Sequence, residues 1–286
     1  MGRPRRFRRL LAPASVPALL IACTLLAAEP ASGAGSLRFL RDDTEVASLD
    51  ADALRRGCSP ETITVEDPYY KRRVRYVACP LRDVLRLGLG EDATALAGRD
   101  VLFRALDGYV KPVGGARVAE DGAYVAFADA DRPDGFAPLG RKAVDPGPFY
   151  LVWTKPAQRD TNVYPWPYQL AAIEVTDLVR RYPHTVPRDV AHQSLAWAGY
   201  DIFRAECIAC HAVNGEGGTV GPDLNIPQSI VEYRPVEQVK RYIRNPAVFR
   251  YGNMPSHEHL TPRDLDALIA YFTVMKTQKH DPRGAP

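Results

Sequence analysis

Along residues 36–177 the apolar positions come in short runs separated by Gly, Pro and Asp. Residues 62–66, 74–77, 101–106, 123–127, Tyr150–Trp153 and 172–175 are rich in β-branched and aromatic side chains. Such side chains fit a pleated, half-buried surface, so these runs predict strands. Only residues 50–56 and 81–87 read as helical in this stretch. From Asp189 the apolar period lengthens to that of a helix, with Leu195, Ala198, Ile202 and Phe203 on one face. A second helix is predicted over Val236–Arg244, burying Val236, Val239, Tyr242 and Ile243. Pro246 stops it, because the residue before a proline is pushed out of helical geometry. A third begins at Thr261-Pro262-Arg263-Asp264: a capping hydroxyl, a proline at the first helical position, and an acid that reaches back to the cap. Its stripe is Leu265, Leu268, Ile269 and Phe272.

The change of period divides the chain. The expected fold is two domains: a β-rich α+β domain over residues 35–177, followed by an all-α domain over residues 189–280. Residues 178–188 hold Pro183 and Pro187 without an apolar period and read as a linker, and residues 281–286 read as a tail. A length of 286 residues suits two modest domains.

Residues 1–34 stand apart. Five arginines precede an apolar run from Leu10 to about Ala28, and small residues near Ala31 to Ala34 offer a cleavage site. This is the pattern of an export signal, so the mature protein is expected in the periplasm. The other reading is a retained anchor, which Pro13 and Pro17 disfavour. Membrane association is expected only if the segment is retained or lipidated at Cys23. The formal charge of +3 comes from this segment: removing its five arginines and one glutamate leaves 32 basic against 33 acidic residues, a net of about −1. No nucleic-acid partner is expected from such a balance.

Cys23 leaves with the signal. Cys58 and Cys79 remain in the β-rich region, where export makes a disulfide available; two separate buried thiols are the other reading. Cys207-Ile-Ala-Cys210-His211 is the Cys-x-x-Cys-His attachment pattern for c-type haem. Two thiols one helical turn apart can each add to a vinyl group, and the adjacent imidazole can ligate the iron as a neutral nitrogen. A structural zinc would need about four protein ligands, and a thioredoxin-type pair would need a βαβ context; neither is in view.

Around this motif, residues 189–280 resemble a class I cytochrome c domain. The resemblance is carried by Gly199-x-x-x-Phe203-x-x-x-Cys207, Gly221-Pro222-Asp223-Leu224, and Arg241-Tyr-Ile-Arg-Asn-Pro246. Asn253-Met254-Pro255 and Leu265 through Tyr271-Phe272 follow in order. It implies one covalent haem c on Cys207 and Cys210, with His211 and a methionine as axial ligands. Met254 fits that role from its Gly/Asn/Pro loop, whereas Met275, on the last helix, reads as a core side chain. His257 and His259 are rival ligands, with a solvated loop as their ordinary reading. By the same resemblance the Pro222 carbonyl accepts the His211 Nδ1 proton, and Gly199 and Tyr271 let the first and last helices cross closely.

The β-rich region faintly resembles the molybdopterin-binding domain of sulfite-oxidase-like oxidoreductases. Pro80-Leu-Arg-Asp-Val-Leu, Val101 through Asp107-Gly108-Tyr109, Gly147 through Trp153, and residues 172–175 carry the likeness. That family binds molybdenum through a cysteine thiolate, and neither Cys58 nor Cys79 sits in a matching context. The region is therefore read as a cofactor-free docking or scaffold module. Tyr164-Pro-Trp-Pro-Tyr168 reads either as a partner-binding surface or as a cap on the β core. Lys240, Arg241, Arg244 and Arg250 read as a solvated face that can also steer an acidic partner. The expected function is single-electron transfer between periplasmic redox proteins without catalysis by the chain itself. A haem-bearing subunit of a periplasmic, possibly molybdenum, oxidoreductase is the alternative.

Overall fold

In the computed structural model, residues 1–2, 35–132, 135–140 and 142–284 are described. The expected signal segment, with Cys23 and its cleavage site, lies outside them. The strands are β1 (Ser36–Arg41), β2 (Thr44–Asp50), β3 (Glu61–Asp67), β4 (Arg72–Pro80), β5 (Asp100–Ala105) and β6 (Val110–Gly114). They continue with β7 (Ala123–Asp129), β8 (Tyr150–Trp153), β9 (Leu170–Thr176), β10 (Ala212–Val213) and β11 (Glu216–Gly217). The helices are α1 (Ala51–Gly57), α2 (Leu81–Leu89), α3 (Gly115–Val118) and α4 (Leu178–Arg181). They are followed by α5 (Leu195–Ile202), α6 (Ile230–Tyr233), α7 (Val236–Arg244) and α8 (Pro262–Met275).

Two sheets build the N-terminal region. One is ordered β2-β1-β9-β5-β6, antiparallel except for the parallel β1–β9 pair; the other is the antiparallel β3-β4-β7-β8. Strand alternation assigns the faces. On β5, Val101 and Phe103 join the core between the sheets, while Leu102 points the other way, into the C-terminal core. Glu174 on β9 is fully buried; its carboxylate is met by the Arg104 guanidinium, by Arg181 Nε at 3.0 Å, and by the Asp43 N–H at 2.9 Å.

Each run expected to be a strand is one. β1, β2 and β6 were not expected: β2 alternates weakly, and β6 carries Pro112 and Gly114 on a sheet edge, where proline is tolerated. Leu195 and Ala198 are exposed; the buried face of α5 is Ala196, Gly199, Tyr200 and Phe203. Close approach to α8 selects that face, since a Cβ on Gly199 would lie 2.0 Å from the Ala267 carbonyl oxygen.

The expected all-α character needs correcting: β10 and β11 form a two-strand hairpin directly after the cysteine motif. The expected split into two domains is not seen either, for residues 34–286 form one compact unit. Residues 178–188 do not make a free linker. They contain α4 and a 3-10 turn, Pro183–Thr185, and bury Leu178 and Tyr182 beside Phe203 and Tyr271. Proline suppresses a long period but permits short turns, so burial there leaves no periodic trace.

Candidate haem site

The helical chain of α5 continues through a π turn, Phe203–Cys207, and delivers the two thiols and His211 in succession. Cys207 and Cys210 are unpaired and half-buried. Burial pushes the Cys207 thiol up to about 12 and raises that of Cys210 as well, with the nearby Asp107 charge adding to the latter. Both are therefore thiols, not thiolates, at neutral pH.

His211 Nδ1 lies 2.8 Å from the Pro222 carbonyl, to which it donates, leaving Nε2 free of that bond. Burial lowers its pKa and the Pro222 bond opposes this only in part, so the ring is held neutral. The loop bearing Pro222 is fixed from below. Asp223 accepts from the N–H groups of Gly215 (2.7 Å), Asn225 (2.7 Å) and Ile226 (2.9 Å). Buried Asn225 donates to Asn214 Oδ1 and to the Met275 carbonyl, both at 2.8 Å. Gly221 is obligatory here, because a Cβ would stand 2.4 Å from His211 Cε1. The sequence reading missed Asn214 and Asn225; isolated asparagines carry no periodic signal.

Met254 is half-buried against the C-terminal apolar cluster, as are Cys207, Leu224, Ile230 and Val231. Its loop is pinned to the end of α7 by His257 N–H to the Ile243 carbonyl (3.2 Å) and Ser256 Oγ to the Arg244 carbonyl (3.0 Å). Met275 is buried in the core. The solvated reading of His257 is corrected: it is 6% exposed and its buried Nδ1 has no partner. His259 is exposed, 3.4 Å from Glu206. Cys58 and Cys79 are remote in sequence from the motif, within the β core, with sulfurs at bonding distance and Cα atoms 6.1 Å apart.

The β5–β6 hairpin grips the cysteine motif. Val110 N–H donates to the Ala209 carbonyl (2.9 Å), Thr219 N–H to the Gly108 carbonyl (2.9 Å), and Lys111 Nζ to the Ala205 carbonyl (2.6 Å). Asp107-Gly108-Tyr109, noticed in the sequence only as a resemblance, is thus the contact between the two regions. Gly108 has φ +91°, and a Cβ on it would lie 2.1 Å from Thr219 Oγ1.

The residues fit a haem better than a bare ion. Among the described residues no three His, Cys, Asp or Glu side chains gather to hold a metal directly. Two unpaired thiols, a neutral imidazole with an available nitrogen, an apolar cluster and an orphaned buried imidazole nitrogen suit a group that brings its own four equatorial ligands. The same residues define a C-terminal cytochrome c domain. Residues 195–272 match the family model described as cytochrome c oxidase, cbb3-type, subunit III. The chain is also similar to cytochrome c oxidase subunit 2 of Alkalihalophilus pseudofirmus, 33% identical over 94 residues, which is 30% of this chain and 28% of that protein. The chain thus spans little more than a quarter of the length of that curated relative. The likeness supports a haem-binding, electron-transfer domain.

Proposed function

We propose that the protein is an exported one-electron carrier whose haem c is bound through Cys207 and Cys210, with His211 and Met254 as axial ligands. The single observation that carries this reading is the bond from His211 Nδ1 to Pro222, which orients a neutral ring with Nε2 available beside two free thiols. When bound, the haem supplies a ferric/ferrous couple. The chain's own residues do the rest. The Pro222 carbonyl fixes the tautomer of His211 and raises its basicity. Asp223 and Asn225 hold that loop rigid, and the apolar lining excludes water, so little need rearrange when an electron arrives. Periplasmic redox proteins are the partners of this reading, and the β-rich region is their docking or scaffold module, without a cofactor of its own.

A second reading, a haem-bearing subunit of an oxidase or other oxidoreductase, is favoured by the names of both matches. Metal analysis of the purified mature protein tests the molybdenum form of that reading: iron alone supports the carrier, and iron plus molybdenum supports the enzyme. The primary test is extraction with acidified acetone. Haem should stay on the polypeptide of the wild type, and Cys207→Ala with Cys210→Ala should abolish its retention. Free haem in the solvent phase from the wild type refutes covalent attachment.

A further inference from the structure

Among the basic residues of the cytochrome region read as a steering face, Lys240 is committed to Glu237 (2.8 Å) and Asp266 (2.7 Å), and Arg250 to the Tyr242 hydroxyl (3.0 Å). A different set, in the β-rich region, has no acidic partner among the described residues, its one ring contact being Arg72 over Tyr70 at 5.2 Å. Lys71, Arg72 and Arg159 are exposed around a cleft of about 510 Å³. Among the described residues none of the three is in a salt bridge; Arg72 donates only to the Arg73 carbonyl, at 3.2 Å. A smaller cleft continues the groove through Arg159 and adds Arg73 and Lys155. The acids beside it do not balance these charges. Glu66 faces Arg73 at 3.5 Å. Asp67 is buried and occupied by the hydroxyls of Tyr76 and Tyr150 and the N–H groups of Tyr69 and Tyr70.

Trp166 is common to both clefts and is 3% exposed. Its indole Nε1 is buried and has no partner, whereas Trp153 donates to the Pro165 carbonyl and Trp197 to the Val190 carbonyl. A buried unpaired donor is costly, so an acceptor arriving from outside would be rewarded there. From Trp166 a run of rings leads through buried Tyr150 at 6.1 Å to half-buried Tyr168 at 6.4 Å and exposed Tyr69 at 5.9 Å between centroids. The residue after Tyr168, Gln169, accepts at its carbonyl from the Leu106 N–H (3.0 Å), and two residues on from Leu106, the Gly108 carbonyl accepts from the Thr219 N–H (2.9 Å) in the loop that follows the cysteine motif. The groove is thus joined to the hairpin that grips the cysteine motif by packed rings and one backbone hydrogen bond, through which an electron tunnels more readily than through water.

We infer that this groove is the docking site of an acidic redox protein. A partner carboxylate would reach the Trp166 N–H, and one electron would pass between the partner and the haem iron, one losing what the other gains. The cations spread over two joined clefts beside the sheet-edge strand β3, a broader target than a single small anion needs. Sparse, charge-steered contact of this kind suits a transient complex. The inference rests on the electron-carrier reading but has its own readout.

The test is binding of fluorescently labelled poly-L-glutamate to the full holoprotein, followed by anisotropy at low salt, with free glutamate as the competing small anion. Binding should weaken steeply with salt. Lys71→Gln with Arg72→Gln and Arg159→Gln should weaken it by more than about tenfold, and Trp166→Phe by a few-fold. The variant Lys240→Gln should leave it unchanged. Oxidation of the ferrous protein by hexacyanoferrate(III), an anion that takes one electron, should slow in the triple variant. Oxidation by tris(phenanthroline)cobalt(III), a cation, should not. An unchanged visible spectrum in each variant keeps the haem site out of the comparison. Equal binding by wild type and triple variant overturns the inference, and so does equally strong competition by free glutamate at the same residue concentration. Absence of covalent haem, with binding intact, would instead refute the carrier reading alone.

Discussion

The N–H of Val110, on the outer edge of a five-stranded sheet, donates to the carbonyl of Ala209, one residue before the second haem-motif cysteine, at 2.9 Å. Leu102 and Val110 sit in the same apolar cluster as Phe203, Leu268 and Tyr271. The cytochrome region therefore borrows part of its core from the β-rich region. A fragment of residues 189–286 should melt well below the full chain, by thermal scan of the two holoproteins. Gly108→Val should act in the same direction, through φ +91° and the clash with Thr219, at a cost of about 2 kcal/mol or more.

In the proposed haem protein Met254 is the assigned sixth ligand and His257 its rival. Met254→Ala should give high-spin or histidine-ligated iron, a lower potential and ready binding of carbon monoxide, all visible by spectroscopy and redox titration. His257→Ala should leave the spectrum unchanged. An unaltered spectrum in Met254→Ala, with a changed one in His257→Ala, transfers the role to the histidine.

The setting of His211 in the candidate site was legible in the sequence because its chemistry is local. Cys207, Cys210 and His211 are adjacent, and Pro222 follows within a short loop; the bond to Pro222 is in the structure. Thr261 caps α8 with Asp264 as expected, since a capping box needs only four consecutive residues. The hairpin grip was not legible. Val110 and Ala209 are far apart in sequence, and a backbone hydrogen bond imposes no side-chain pattern. His257 was misjudged because polarity and loop composition predict exposure, whereas burial is decided by the helix the loop folds onto.

Burial lowers the pKa of Lys111, which is 7% exposed, against the opposing pull of Glu206 and the two cysteines. As the thioethers of the proposed haem protein those cysteines would carry no charge, and the lowering would deepen. The unfolded chain keeps the lysine proton up to about pH 10.4, while the folded chain loses it earlier. Between those two values the unfolded state binds more protons, so stability rises with pH across that window. Lys111→Met should flatten the rise, measured by denaturant melts between pH 7 and about 10.

Glu174 holds Arg104 and Arg181 together inside the first sheet. Glu174→Gln should cost about 3–5 kcal/mol in urea unfolding, because two guanidinium groups lose their counter-charge. The spectrum of any haem retained should be unaffected.

Cys58 and Cys79 are separated by 21 positions in the sequence. Alkylation without reductant should label neither, and Cys58→Ser with Cys79→Ser should lower stability by about 3 kcal/mol. Labelling of both in the untreated protein refutes the bridge.

The bond between Val110 and Ala209 also bears on how the molecule keeps to itself. β6 is an edge strand, and exposed edges recruit strands from other chains. The turn that carries the cysteines sits where such a strand would pair. A chain that fails to fold this turn, for want of its prosthetic group, is therefore left with an open template, and self-association is the expected fate of the unloaded protein.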